Sequence, residues 1–176
     1  MLKDQLYEQL YLFPLYVFCF FFSDDVVSFE TQSTTFDDTL MTLDTDVISF
    51  TVRAKQDAMI RLNKHGDIDD YILITLGKSG TDQSTIERNG QTPLEFATPD
   101  ILSENEERPF WIAMYNNSIE FGEEEYHVDD STTIGSIPAT DVEEFAIMSF
   151  STGDTLGRWN LRKYTGEHYW QVKPLH

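Results

Sequence analysis

The stretch ERPFWIAMYNNSIEFG, residues 107–122, decides the fold of this chain. Apolar and polar side chains alternate on both sides of Asn116-Asn117, and a period of two residues is typical of β-strands. Because asparagine tolerates positive φ, this pair predicts a tight turn that joins the two runs into a hairpin. One face of the hairpin is predicted to lie in a core, with Phe110, Ile112, Met114, Ile119 and Phe121 pointing inward.

The opposite face of the hairpin carries Trp111 and Tyr115, and the pattern leaves its role open. Trp111 either packs under a loop or is offered to a ligand. Tyrosine and tryptophan combine an apolar body with a polar tip, which suits them to stacking on the apolar face of a sugar ring. Trp111, Tyr115 and Tyr126 are therefore the candidate ligand-binding residues.

The same alternation extends outward from the hairpin in both directions. In VISFTVRA, residues 47–54, every second side chain from Ile48 to Ala54 is apolar. About nine short strands, separated by turn residues at regular intervals, predict an all-β fold, an antiparallel β-sandwich of jelly-roll type. Residues 99–107 are predicted to form one helical turn at most, and HGDIDD, residues 65–70, is predicted to be a loop.

The N-terminus has a different character. LYLFPLYVFCFFF, residues 10–22, is an unbroken apolar run. It is shorter than the roughly 20 residues that a membrane-spanning helix needs, and it has the length of the apolar region of a secretory signal peptide. We expect a signal peptide at 1–23, a lead-in with an edge strand at 24–45 and the sandwich domain at 46–172. A membrane-retained anchor and a misassigned start codon are the alternatives.

Secretion has two consequences for this chain. After cleavage no stable membrane span remains, and the single cysteine, Cys19, is removed with the signal peptide. The triplet Asn116-Asn117-Ser118 then becomes an acceptor for N-glycosylation at Asn116. The sequence therefore predicts an extracellular protein with a glycosylation site at Asn116.

The chain is strongly acidic, with 31 acidic and 12 basic residues and a net charge of −19. Such a surface repels phosphate backbones, so nucleic acid is not an expected partner. Asp67, Asp69 and Asp70 lie close together in the predicted loop, and hard oxygen ligands suit Ca²⁺. They are the candidate metal ligands, although composition alone also produces such clusters and the spacing is not that of an EF-hand. No other cofactor is predicted.

Motifs of catalysis do not emerge from the sequence. There is no G-x-S-x-G motif for a nucleophilic serine. The glycine-containing turn LGKSG, residues 76–80, follows a strand. A nucleotide-binding turn is followed by a helix, and no helical pattern follows this turn. No catalytic residue is predicted, and the sequence favours a function other than catalysis.

Five segments identify a resemblance to a known family. They are FTVRAKQDAMIRL, YILITLG, STIERN, RPFWIAMYNNSIEFG and FAIMSFSTGDTLGRWNL. In order and spacing they resemble the domain named after farnesoic acid O-methyltransferase, from about Asp46 to Arg162. The family name implies methyl transfer to farnesoic acid. The occurrence of the domain in secreted, multi-module invertebrate proteins implies recognition, with carbohydrate as the expected ligand.

Three functions are consistent with these observations. The first is a secreted β-sandwich module that binds carbohydrate or a small apolar ligand, and the residues favour it. The second is the methyltransferase that the family name implies. The third is a structural domain that pairs with a protein partner through an exposed sheet edge. The sequence specifies neither the ligand nor the oligomeric state.

Overall fold

Two antiparallel β-sheets pack face to face in this protein. A computed structural model describes residues 26–32, 36, 41–43, 46–124, 132–162 and 171–172. The predicted signal peptide, half of the predicted lead-in and Tyr126 lie outside the described residues. Among the described residues, no helix is long and apolar enough to cross a bilayer.

Sheet A has six strands and sheet B has seven. The order in sheet A is β1 (Val26–Thr31), β12 (Gly157–Arg162), β3 (Val47–Arg53), β8 (Arg108–Tyr115), β9 (Ser118–Glu123) and β10 (Thr133–Pro138). The order in sheet B is β13 (Gln171–Val172), β2 (Met41–Thr42), β11 (Phe145–Ser151), β4 (Ala58–Lys64), β5 (Asp67–Leu76), β6 (Gln83–Arg88) and β7 (Leu94–Ala97). A 3₁₀ turn at Val142–Glu144 is the only helical element in the described part of the chain.

The predicted all-β antiparallel sandwich is confirmed. The described residues contain thirteen strands where the sequence predicted about nine. Each of the nine predicted strands is present as β3 to β9, β11 or β12. The additional elements include β10, whose sequence TIGSIP has too little alternation to predict a strand.

The core lies between the sheets, where the alternation placed it. In the hairpin of β8 and β9, Ile112 is opposite Phe121 and Met114 is opposite Ile119. These four side chains and Phe110 are buried, as predicted. Each large apolar side chain removed from water contributes about 1.5–3 kcal/mol, so the inward-facing rows fix both registers.

The turn between β8 and β9 has the predicted asparagine chemistry. Asn116 and Asn117 have φ values of 53° and 59°, a pair of positive values that characterises the type I′ hairpin turn. Both residues are exposed. The carbonyl of Asn117 also accepts a hydrogen bond of 2.8 Å from the N–H of Ala139. The sequon therefore lies at an accessible, well-defined turn.

Trp111 faces away from the core and is nevertheless 1% exposed. Its indole Nε1 donates to the Thr132 hydroxyl over 3.1 Å. Its ring lies over Gly122, the directly opposite residue of β9, where a Cβ would come within 2.3 Å of the ring. The sequence left open whether Trp111 packs against the protein or is offered to a ligand, and in the structure the side chain is packed.

The prediction that residues 65–70 form a loop is wrong for Asp67 to Asp70. Strand β5 begins at Asp67, because the turn closes within His65-Gly66, where Gly66 has φ 81°. Lys64 pairs with Asp67 and Asn63 pairs with Tyr71, so a register shift absorbs the residues between. The acidic residues of this stretch belong to a bulged strand.

Trp111→Ala is expected to lower the free energy of unfolding by about 3–5 kcal/mol, the usual cost of deleting a buried aromatic side chain. Tyr115→Ala, on the same face but only partly buried, is the matched control and is expected to cost less. Urea unfolding of both variants measures the difference. Equal and small losses in the two variants would mean that Trp111 is not packed.

Candidate functional site

A cleft of about 260 Å³ opens at one end of sheet A. We call it the basic cleft, because three of its six lining residues are cationic. The lining consists of Arg53, Lys55, Glu104, Thr155, Leu156 and Arg158. The volume lies just below the range of about 300–1,000 Å³ that is typical of ligand pockets, so it suits a single small group such as one sugar unit.

Strand pairing places the two arginines side by side. Arg53 ends β3 and is the direct cross-strand partner of Arg158 on β12. Their chain neighbours Val52 and Trp159 are fully buried in the core. Because successive side chains of a strand point to opposite faces, Arg53 and Arg158 both lie on the outer face of sheet A.

Buried hydroxyl groups hold the loop that forms one wall of the cleft. The Trp159 indole Nε1 donates to the Thr31 hydroxyl over 2.8 Å, and the Thr31 and Thr152 hydroxyls lie 2.9 Å apart. The Thr152 hydroxyl donates to the carbonyl of Thr155 over 2.7 Å. A Cβ at Gly157 would lie 2.1 Å from Thr152, so only glycine permits this approach.

A row of polar side chains runs across the outer face of sheet A beside the basic cleft. The Ser28 hydroxyl donates to Asn160 Oδ1 over 2.7 Å, and Asn160 Nδ2 donates to the Thr51 hydroxyl over 3.2 Å. The Thr51 hydroxyl donates in turn to Glu107 Oε2 over 3.1 Å. We call these four residues the polar ladder. Each donor points toward the carboxylate, so the bonds polarise one another.

The cations of the basic cleft form only weak interactions with other described residues of the protein. Arg158 Nε donates to Glu30 Oε1 over 2.6 Å, and both side chains are exposed. An ion pair of this kind contributes about 0–1 kcal/mol. Arg53 and Lys55 have no ion-pair partner among the described residues. A ligand can therefore engage these groups without breaking a strong interaction.

The lining combines groups that suit a sugar. The guanidinium groups of the two arginines present planar sets of donors, and Glu104 and Thr155 supply carboxylate and hydroxyl acceptors for sugar hydroxyl groups. Leu156, which is 48% exposed, gives the cleft an apolar contact. Sites for small ligands typically combine such apolar contact with a few placed polar groups.

A second charged group, the ionic cluster, ties three strand ends of sheet B to the loop before β11. It consists of Lys64, Asp70, Arg88, Asp141 and Glu144. Arg88 binds Asp141 through two nitrogens, at 3.0 and 2.6 Å. Lys64 contacts Asp141, Asp70 at 2.8 Å and Glu144 at 3.1 Å. Both cations lie within 6 Å of the Phe145 ring centre, at 5.8 and 5.7 Å.

The ionic cluster shifts the protonation of its members. Hydrogen bonds from Arg88 and then Lys64 hold the pKa of Asp141 well below its usual range. The hydrogen bond from Lys64 lowers the pKa of Asp70 against the opposing effect of desolvation. In return, Asp141 and Asp70 raise the pKa of Lys64. Lys64, Asp70, Arg88 and Asp141 are therefore charged at neutral pH, and their ion pairs join the strand ends.

The predicted metal ligands do not converge on a common point. Asp70 belongs to the ionic cluster, where it binds Lys64 and Arg88. Asp67 Oδ1 accepts the backbone N–H groups of Asp69 at 2.9 Å and of Asp70 at 3.2 Å. Within the described part of the chain, no group of three or more His, Cys, Asp or Glu side chains is arranged to hold a metal ion.

The predicted aromatic residues lie elsewhere than the basic cleft. Trp111 is packed over Gly122, and the Tyr115 hydroxyl donates to Glu120 over 3.3 Å. Neither residue lines the cleft, and Tyr126 is outside the described residues. A ligand-binding role for these three residues stays a prediction. Sequence reasoning missed Arg53 and Arg158 as a pair, since only the pairing of β3 with β12 brings them together.

These features define an antiparallel β-sandwich protein with a polar, basic site on one sheet end. The family model of farnesoic acid O-methyl transferase matches residues 29–165, and the chain belongs to this family. The match begins ahead of Asp46, the start that the resemblance in the sequence suggested. Among curated proteins, no match is found.

Several solved structures are similar to this chain. One is the galectin LEC-6 of Caenorhabditis elegans, with 10% identity, 77% of this chain and 96% of the galectin covered, and a TM-score of 0.45. Another is the β-glucanase of Bacillus licheniformis, with 12% identity, 77% of each chain covered and a TM-score of 0.46. A third is the CBM40 of the Ruminococcus gnavus IT-sialidase bound to α2,3 sialyllactose, with 12% identity, coverage of 80% and 92%, and a TM-score of 0.42. At these values the similarity identifies no ligand for this chain.

Asp141→Asn is expected to lower the melting temperature at neutral pH, because Arg88 and Lys64 both lose a charged partner. A carboxyl whose pKa is lowered by folding stabilises the native state above its unfolded pKa, about 3.9, and this contribution is lost as the pH falls. The gap between wild type and variant is therefore expected to be full above about pH 5 and to narrow as the solution is acidified.

The control for this experiment is Asp154→Asn, which neutralises an exposed aspartate outside the ionic cluster. Thermal unfolding of the three proteins over a pH series gives the comparison. A gap between wild type and Asp141→Asn that stays constant into strong acid would contradict the role assigned to the cluster.

Proposed function

We propose that this protein is a secreted carbohydrate-recognition module whose sugar-binding surface is the basic cleft together with the polar ladder. The observation that carries the proposal is the lining of the cleft. It places two arginines, a lysine and an exposed leucine around a volume of about 260 Å³, beside a row of hydrogen-bonding groups. Membership of a family found in secreted, multi-module proteins agrees with recognition as the task.

The hydrogen-bonded order of the polar ladder supports the same function. The arginines of the cleft stand on paired strands, and the polar ladder is aligned by hydrogen bonds before any ligand arrives. A surface that is already ordered loses little conformational entropy on binding. Small polar ligands such as sugars, which offer limited apolar area, depend on this preorganisation.

Leu156→Ala is expected to weaken sugar binding about tenfold, because the apolar contact of the cleft is lost. Leu94→Ala is the matched control, since Leu94 is 46% exposed and lies on β7 of sheet B, outside the cleft. A glycan array identifies the ligands of the wild type, and calorimetry compares the two variants on the best of them. Equal losses in both variants, or no bound glycan at all, would contradict the proposal.

The secretion part of the proposal has its own test. Expression through a eukaryotic secretory pathway is expected to yield protein that has lost residues 1–23 and carries a glycan at Asn116. Asn116→Gln removes the acceptor, whereas Asn117→Gln changes the same exposed turn and leaves the sequon intact. N-terminal sequencing and the gel mobility before and after glycosidase treatment give the result. A secreted product whose mobility is unchanged by Asn116→Gln would refute glycosylation at this site.

The family name favours a second candidate function, methyl transfer to farnesoic acid. Incubation of the same preparation with farnesoic acid and S-adenosylmethionine, followed by detection of the methyl ester, tests it directly. Formation of the ester at a rate that depends on the protein would replace recognition with catalysis as the primary function.

A further inference from the structure

We infer that the ligand of the basic cleft is a sugar with an acidic group, a carboxylate or a sulfate, bound between Arg53 and Arg158. This inference rests on the proposed function and names the class of carbohydrate. A carboxylate and a sulfate share the chemistry that the cleft recognises, a small anion with several acceptor oxygens. Three features of the cleft support it: the two opposed arginines, the lysine beside them, and the weak interactions of these cations with other protein groups.

The arrangement of the two arginines calls for an anion. Arg53 and Arg158 stand directly opposite each other on paired strands. Like charges in directly opposite positions destabilise a sheet. Glu30 of β1 lies directly opposite Arg158 on its other side, whereas Arg53 has no acid opposite it in this pairing. An anion between the guanidinium groups removes their repulsion and accepts charge-assisted hydrogen bonds from both.

The cleft contains more positive charge than its own acids neutralise. Lys55 adds a third cation to the lining, where Glu104 is the one acid. Glu30 pairs with Arg158 through Nε, and an exposed ion pair of this kind is easily exchanged for a ligand. Within the lining itself three cations therefore face one acid, and Glu30 and the ladder residue Glu107 lie beside the cleft rather than in its lining.

The overall charge of −19 does not oppose this local preference at contact range. At physiological ionic strength, the interaction of exposed charges is largely screened beyond a Debye length of about 8 Å. An acidic sugar seated in the cleft therefore interacts mainly with the lining residues. Glu104 is the lining residue that weakens the attraction, which makes its neutralisation a useful variant.

The experiment compares three oligosaccharides of the same length and linkage at fixed ionic strength. One carries a glucuronic acid carboxylate, one carries a sulfate and one is neutral. Calorimetry is expected to give binding of an acidic sugar at least about tenfold tighter than binding of the neutral one. Arg53→Gln and Lys55→Gln are each expected to weaken that binding about tenfold, and Glu104→Gln to strengthen it.

The control variant is Arg108→Gln, which removes one positive charge from an exposed arginine paired with Glu106 outside the cleft. It is expected to leave the affinity unchanged. Arg53 is partly buried, so its variant is first tested for an unchanged melting temperature. Lys55 is exposed, and its variant keeps the test decisive if Arg53→Gln does not fold.

The outcomes separate this inference from the proposed function. Equal affinity for neutral and acidic sugars, unaffected by Arg53→Gln and Lys55→Gln, overturns the inference and leaves carbohydrate recognition standing. Binding of none of the three sugars, together with an empty glycan array, overturns both. Inorganic sulfate that binds as tightly as the sulfated sugar overturns the sugar part of the inference. Tighter binding of either acidic sugar than of the neutral one, lost in Arg53→Gln and Lys55→Gln but not in Arg108→Gln, supports the inference.

Discussion

Aromatic packing between the two sheets is the interaction on which the rest of the structure depends. Trp159 of sheet A lies 4.8 Å from Phe150 of sheet B, measured between ring centroids, and 5.8 Å from Phe50. Phe29 lies 5.1 Å from Phe150. Rings of this size remove large apolar areas from water, and their tilted contacts add to that gain. The cluster therefore fixes β1, β3 and β12 against β11.

The same aromatic cluster positions the basic cleft on the opposite side of sheet A. Since Trp159 and Phe50 are held inside, the residues next to them along β12 and β3 must face outward. Arg158 and the polar ladder residue Asn160 flank Trp159 in this way. The buried bond from Trp159 to Thr31 then anchors the wall of the cleft through Thr152. The inward side chains of these strands form the core, and their outward side chains line the cleft and the polar ladder.

The two charged groups of the molecule have different physical roles. In the ionic cluster, Asp141 forms ion pairs with Arg88 and Lys64, so the charges of the cluster stabilise contacts between strand ends. In the basic cleft, Arg53 and Lys55 have no ion-pair partner in the described part of the chain. Asp70, one of the predicted metal ligands, is thus engaged in the ion pairs of the ionic cluster, whereas Arg158 of the cleft forms one exposed ion pair with Glu30.

The alternation of apolar and polar residues was sufficient to predict the antiparallel sandwich and the inward faces of its strands. Phe110, Ile112 and Phe121 are buried as predicted, because a one-residue slip would turn every one of them to solvent. The pattern could not decide the environment of Trp111, since alternation gives the face of a side chain and not what covers that face. The pattern also did not predict the bulge in β5. A tight turn at Gly66 makes the acidic residues that follow it part of the strand.

What the sequence by itself determined is therefore the period of two, the asparagine turn and the chemical character of each face. The tertiary structure alone decided which strands are neighbours. The pairing of β12 with β3 and β1 joins residues that are far apart in the chain, so Arg53, Arg158 and Glu30 meet only in the folded sheet. The physical reason is that alternation is a local property, whereas strand order follows from how the two sheets bury their inner faces together.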